Sequence, residues 1–201
     1  MLKYAIILFL LMTACGCSQT YPDTGRVIAD PNFSCATAPS LIEARIGLGN
    51  ICRSENDLEI RLNEEGEIIL YYALYTLTCK DKTWTATKYE TVFGHENQSN
   101  QDTALRIRSF NLKKNIRIEA LFDTLKRNDI FTLPDQDNIH LPSTFYVDDG
   151  VSYSLTFKVG KKFRTYRFDN PEDYRRQFDN IKEFENYANI AATLVDAFEK
   201  H

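Results

Sequence analysis

Apolar and polar residues alternate in several segments of the chain, and this period of two predicts antiparallel strands. The predicted strands are Asp57–Leu62, Glu67–Cys79, Thr83–Phe93, Ser152–Val159 and Phe163–Phe168. The turn between the first two falls at Asn63–Gly66, where a glycine supplies the positive φ of a tight hairpin. Because both faces of Glu67–Cys79 are apolar, we expect that strand in the centre of the sheet.

Three segments repeat apolar residues at the three-and-four spacing of an amphipathic helix. They are a short helix at Leu41–Ile46, a helix capped by Asn115 that runs to about Asn128, and a long helix that Asn170 caps, Pro171 opens and Phe198 closes. Strands, helix, hairpin and long helix in this order predict an α+β fold, an antiparallel sheet with helices packed on one face.

The amino terminus has the pattern of an export signal. Lys3 precedes an apolar run, Tyr4–Met12, that is too short to span a bilayer but suits the apolar part of a signal peptide. The run ends in Leu11-Met12-Thr13-Ala14-Cys15, which resembles the lipobox of bacterial lipoproteins. The resemblance implies a signal peptide at 1–15 and lipidation of Cys15, with Cys17 as a second candidate. The alternatives are an ordinary secretory signal and an apolar core strand.

The cysteines fit an exported domain. Of the five in the chain, lipidation of Cys15 leaves an even number for an oxidising compartment. Those four are Cys17, Cys35, Cys52 and Cys79. Two disulfides can then form, and we favour Cys35 with Cys52 among the three connectivities. The alternative for Cys79, at the end of an apolar strand, is a buried free thiol.

The chain divides into a signal peptide, a linker and one domain. Residues 16–40 contain Pro22, Pro31 and Pro39 among polar and small residues, which predicts a flexible tether. Residues 41–201 have the size of a single α+β domain. The pieces Phe122–Leu133, Asp149–Tyr153 and Asn170-Pro171 resemble those of a recurrent, uncharacterised kind of bacterial envelope domain, and this resemblance supports the fold alone.

Charge and motifs exclude several classes of function. The net charge of −4 argues against a nucleic-acid surface. The chain contains no P-loop, dinucleotide-binding glycine pattern or Gly-x-Ser-x-Gly sequence. His95-Glu96 lacks the second histidine of a zinc protease, since Ser99 stands there. The cluster of Asp135, Asp137, Asn138 and His140 could hold a hard cation, but a solvated turn explains it better. We therefore expect no metal and no cofactor.

Basic residues are concentrated near the last predicted hairpin of this acidic chain. They are Lys158, Lys161, Lys162, Arg164, Arg167, Arg175 and Arg176. Such a cluster can bind lipid headgroups, an acidic cell-wall polymer or an acidic protein. The alternative is an ordinary solvated face that Asp169, Glu172 and Asp173 neutralise in part.

These observations favour a membrane-anchored lipoprotein of the bacterial cell envelope. We expect its domain, held at the outer membrane or the outer face of the cell membrane, to be a non-enzymatic binding module, either an accessory subunit or an inhibitor or immunity factor. Its partners would be the membrane, through the lipid, and an envelope protein or cell-wall component. The alternative is a cell-wall or carbohydrate hydrolase that uses carboxylates such as Asp148 and Asp149.

Overall fold

The fold is an antiparallel sheet of six strands with four helices. A computed structural model describes residues 22–36, 38–66, 71–93, 105–142, 144, 145, 147 and 150–198. The strands are β1 (Leu58–Gly66), β2 (Tyr72–Lys80), β3 (Thr83–Phe93), β4 (Leu105–Asn111), β5 (Val151–Val159) and β6 (Lys162–Asp169). The helices are α1 (Leu41–Arg45), α2 (Ile118–Arg127), α3 (Pro171–Gln177) and α4 (Lys182–Ala197). The predicted α+β class is therefore confirmed.

Strand order in the sheet is β4-β3-β2-β1-β5-β6, and every neighbouring pair is antiparallel. β1 lies at the centre because its apolar residues Leu58, Ile60 and Leu62 are fully buried. Opposite them stand apolar residues of both neighbours: Ile60, for example, pairs with Leu77 of β2 and with Phe157 of β5. Side chains of these residues point to one face, which we call the helix face.

The main core lies between the helix face and the helices. Leu121, Phe122 and Leu125 recur at helical spacing and give α2 a buried stripe. Helix α4 contributes a second buried stripe to the same hydrophobic core, with residues such as Phe184 and Tyr187. Helices α2 and α4 also contact each other, so together they cover the sheet on this side.

The other side of the sheet, which we call the polar face, carries α1. Ser40 begins α1 with a capping box, because its side chain accepts from the backbone N–H of Glu43 while Glu43 accepts from the N–H of Ser40. Helix α1 packs on β2 and β3. Leu74 of β2 and Ile42 of α1 are both buried there. The helices thus lie mainly on one face, and α1 is the exception.

Several predicted elements differ from the structure. Asn63–Gly66 is the end of β1 and not a turn, because these residues continue the pairing of β1 with β2 and β5. Strand β4 has no counterpart among the predictions. The α2 helix begins after Arg117, so Asn115 is not its cap. The long carboxy-terminal helix is two helices, separated between Gln177 and Lys182.

The segment predicted as a tether is attached to the domain in its second half. The N–H of Ile28 donates to the carbonyl of Phe131 at 3.0 Å, and the N–H of Asp30 donates to the carbonyl of Phe163 at 2.9 Å. Phe163 belongs to the edge strand β6, so this segment covers part of that edge. Among the described residues, none of the helices has the length and apolar composition needed to cross a membrane.

Candidate functional site

A disulfide closes a loop over the polar face. Cys35 and Cys52 are joined across a sequence separation of 17, which is the pairing that the sequence analysis favoured. Asn50 fixes the loop near the disulfide, since its amide donates to the Cys35 carbonyl at 2.6 Å and its oxygen accepts from the Cys52 N–H at 2.9 Å. We call residues 33–36 and 38–52 the disulfide loop.

A buried guanidinium attaches this loop to the sheet. Arg61 of β1 forms ion pairs of 2.6 Å with Glu43 of α1 and 2.5 Å with its strand neighbour Glu59. The same guanidinium donates to the carbonyl of Gly49 at 2.8 Å. Because Arg61 alternates with Ile60 and Leu62, its side chain is on the polar face, directly beneath the loop.

Lys158 completes the buried network from the neighbouring strand. It stands opposite Glu59 in the register, and its ammonium donates to the carbonyls of Ser54 and Asn56 at 2.5 and 2.6 Å. Glu59 also accepts hydrogen bonds from the side chains of Ser54 and Asn56. Two carboxylates and two cations are therefore buried together, so their formal charges cancel.

Between the disulfide loop and the sheet lies a cleft of about 140 Å³. Its floor is formed by Arg61, Asn63, Thr156 and Thr165 of three adjacent strands, and the loop residues Phe33, Pro39, Asn50 and Ile51 are among those that line the other side. The register explains the floor, because Arg61 pairs with Thr156 and Thr156 pairs with Thr165. The Thr156 and Thr165 hydroxyls are 2.8 Å apart.

The basic residues predicted as a binding surface do not form one face. Lys158 is buried in the network described above, which corrects its prediction as a residue of a basic binding surface. Arg164 and Arg167 lie on opposite faces of β6, since Arg164 alternates with Thr165 and packs 5.5 Å above the Tyr166 ring. Lys161 and Lys162, at the hairpin turn, are exposed.

Three of these cations have acidic partners, as the alternative of a solvated face required. Arg167 pairs with Asp169 at 3.2 Å, Arg175 with Glu172 at 2.6 Å and Arg176 with Asp173 at 2.5 Å. Exposed pairs of this kind contribute little stability, but they reduce the positive field of the surface. Lys161 and Lys162 remain as the exposed cations of the hairpin for which the structure gives no ion pair among the described residues.

A second constellation lies at one end of the main core. Glu64 accepts from the Tyr75 hydroxyl at 2.6 Å and from the Tyr153 hydroxyl at 3.5 Å. Burial raises the pKa of this carboxyl, although the two phenols and the charge of Lys88 oppose the shift. Burial, together with the nearby Glu64, also raises the pKa of Tyr153. Because both phenols belong to buried core residues, the arrangement holds Glu64 in the core.

Other predicted residues have structural roles or lie outside the described part of the chain. Asp135 accepts from the backbone N–H groups of Asp137 and Arg167. Among the described residues, no group of three or more potential metal ligands comes together. Cys79 is a buried free thiol, the alternative named for it, and burial raises its pKa. The residues outside the described ranges are Cys15, Cys17, His95, Asp148 and Asp149.

The sequence analysis did not predict the cleft, although it singled out the cysteine pair that closes the loop above it. The Cys35–Cys52 pairing pointed to a closed loop, but the sequence does not say which surface that loop covers. Charged side chains at the polar positions of a strand are usually exposed to solvent. The sequence therefore contains no sign that Glu59, Arg61 and Lys158 are buried. Comparison with known proteins adds no assignment, because the chain matches no protein-family model and no curated protein or solved structure.

Proposed function

We propose that this protein is an exported lipoprotein, anchored through Cys15, whose domain is a non-enzymatic binding module that uses the cleft under the disulfide loop. The cleft carries the proposal. Its walls come from two separate parts of the fold, and a disulfide and a buried ion network fix them relative to each other. A site whose walls are already rigid loses little conformational entropy on binding.

The location and the site support each other. A structural disulfide is typical of a protein outside the cytosol, and lipidation would keep the domain at a membrane surface. Tethering raises the effective concentration of a ligand that is held in the same envelope. A cleft of this small size can therefore serve even if its affinity for a free ligand is low.

Anchoring is tested by acyl labelling of the full chain in bacteria. Cys15→Ser is expected to abolish incorporation of labelled palmitate and to release the protein from the membrane fraction, whereas Cys17→Ser leaves both unchanged. Retained label on Cys15→Ser, with loss on Cys17→Ser, would move the anchor to Cys17. Retained membrane association without label on either variant would contradict a lipoprotein.

The use of the cleft is tested by photo-crosslinking in intact cells. A photoreactive residue at Thr165, on the floor of the cleft, is compared with the same residue at Thr83, an exposed position of β3 on the same face but outside the cleft. We expect a discrete crosslinked envelope component from position 165 alone. Equal products from both positions, or none from position 165, would refute the cleft as the binding site.

A further inference from the structure

The charged groups of the cleft are already satisfied. Arg61 donates to Glu43, to Glu59 and to the carbonyl of Gly49. Glu43 in turn accepts from Arg61 and from the N–H of Ser40. A charged ligand would have to displace one of these buried contacts, which leaves the other partner uncompensated. The cleft is thus suited to an uncharged ligand.

Neutral hydrogen-bonding groups remain on the floor. The hydroxyls of Thr156 and Thr165 line the cleft from paired positions of β5 and β6. The side-chain amide of Asn63 lines it two residues further along β1 than Arg61, the partner of Thr156. An amide and two hydroxyls offer both donors and acceptors. They match a ligand that carries several hydroxyls, each of which is itself a donor and an acceptor.

The opposite wall contains apolar residues beside polar ones such as Asn50. Its apolar part is formed by residues that include Phe33, Pro39 and Ile51. The Phe33 ring stacks on Phe163 with 5.5 Å between centroids and an interplanar angle of 21°. Packing on Phe163 holds the Phe33 ring in place. An aromatic ring presents a negative face that attracts C–H groups. A ligand between floor and wall therefore needs hydroxyls on one side and C–H groups on the other, as a sugar ring has.

The volume limits how much of a ligand can enter. About 140 Å³ is smaller than the roughly 300 Å³ and above that is typical of pockets for drug-sized ligands. It accommodates one ring. A longer molecule would place one residue in the cleft and extend the rest outside.

Strand addition by a peptide does not fit the floor. Both β1 and β5 have hydrogen-bonded neighbours on each side, so their backbone groups are used within the sheet. On the edge strand β6, the carbonyl of Phe163 accepts from the N–H of Asp30. The N–H of Arg167 donates to Asp135, and the N–H of Asp169 donates to Gln136. The groups that line the floor are side chains, which favours a saccharide over an extended peptide.

We infer that the cleft binds one uncharged sugar ring of a glycan, with Asn63 and Thr165 as hydrogen-bonding residues and Phe33 as the stacking residue. This inference rests on the proposed function, because it names the ligand class of the same cleft. An acidic sugar is excluded from the cleft itself. The same glycan can still carry an acidic sugar next to the bound ring, outside the cleft.

The test is a titration of the disulfide-bonded full chain with neutral chito-, cello- and malto-oligosaccharides. Binding is monitored through changes in NMR chemical shifts. A tetra-alanine peptide and inorganic phosphate serve as comparison probes. We expect one of the neutral saccharides to bind, with shifts at Asn63 and Thr165. Loss of one hydrogen bond in Thr165→Val should weaken binding by roughly fivefold, and Asn63→Ala by roughly tenfold. Thr83→Val removes a hydroxyl from the same face outside the cleft and should leave the affinity unchanged.

Each other outcome overturns the inference. If tetra-alanine binds with the same sensitivity to Thr165→Val, the ligand is a peptide and the proposed binding function of the cleft stands. If no saccharide binds but crosslinking from position 165 succeeds, the ligand class is wrong and the proposed function again stands. If neither saccharide binding nor crosslinking occurs, the cleft is not a binding site and both proposals fail.

Discussion

Arg61 and Glu43 form an ion pair of 2.6 Å between the centre of the sheet and the helix α1 that lies across it. Both side chains are nearly buried, with 6% and 11% of their surface exposed. The pair joins residues that are 18 positions apart and, together with the bond to Gly49, fixes the disulfide loop above the polar face. The position of the loop and the shape of the cleft therefore depend on this guanidinium as well as on the disulfide.

Removal of that guanidinium should destabilise the protein strongly. Arg61→Met leaves Glu43 and Glu59 buried without their cation, and an uncompensated buried charge costs about 3–5 kcal/mol in the free energy of unfolding. Urea unfolding measures the effect. Arg53→Met, an exposed arginine after the loop, should stay within about 0.5 kcal/mol of the wild type. Similar losses for both variants would contradict the structural role of Arg61.

The disulfide should stabilise the fold by restricting the unfolded chain. Closure of a loop with a sequence separation of 17 is expected to contribute about 3 kcal/mol. The double variant Cys35→Ser/Cys52→Ser should lose that amount in urea unfolding, and its loop amides should exchange faster with solvent. A thiol assay provides the control. In denatured, unreduced protein Cys79 should react, whereas Cys35 and Cys52 should not unless reductant is added.

The buried carboxyl of Glu64 should make stability depend on pH. Burial raises its folded pKa above the ordinary value of 4.5, so the folded state binds this proton more tightly than the unfolded state does. The resulting stabilisation is complete below pH 4.5 and is lost as pH rises through the raised pKa. Glu64→Gln should remove this decline. Urea unfolding at a series of pH values from below to well above pH 4.5 measures it.

A neighbouring glutamate provides the control for Glu64. Glu65 follows it in β1 but is exposed and points to the polar face. Glu65→Gln should therefore keep the decline of the wild type as pH rises above 4.5. If Glu64→Gln declines as steeply as the wild type and Glu65→Gln, another group is responsible.

Gly150 should not tolerate a larger residue. A Cβ atom there would lie 1.7 Å from Oδ1 of Asn170, and that oxygen accepts from the N–H of Val151 at 2.8 Å. Gly150→Ala must displace Asn170 and should cost about 1–3 kcal/mol in thermal or urea unfolding. At Gly49 a Cβ would meet nothing within 4 Å, so Gly49→Ala is the matched control and should be close to neutral. Equal stability of the two variants would show that Asn170 moves freely.

Local sequence signals predicted much of the fold. The bounds of Thr83–Phe93 agree with β3, and alternation located β5 and β6, because a strand with one buried face repeats its apolar residues with a period of two. Strand β4 was missed since its sequence, Leu-Arg-Ile-Arg-Ser-Phe-Asn, does not keep a period of two. Ile107 and Phe110 lie on opposite faces of the strand, and Phe110 is the one in the main core. The separation of α3 from α4 was missed because apolar residues continue at helical spacing through Phe178 and Ile181.

The sequence by itself determined the α+β class and most of the element types, because periodicity acts over short stretches of chain. It favoured the Cys35–Cys52 pair but left all three connectivities of the four cysteines open. Which face the disulfide loop covers was decided only by the tertiary structure. The sequence predicts that a charged residue at a polar strand position is exposed to solvent. Arg61 and Lys158 are buried because α1 and the loop lie on that face. The separation of Arg164 from Arg167 is by contrast a local effect, since alternation along β6 sends them to opposite sides of the sheet. The cleft exists where these distant segments meet, and no local pattern in the chain specifies that meeting.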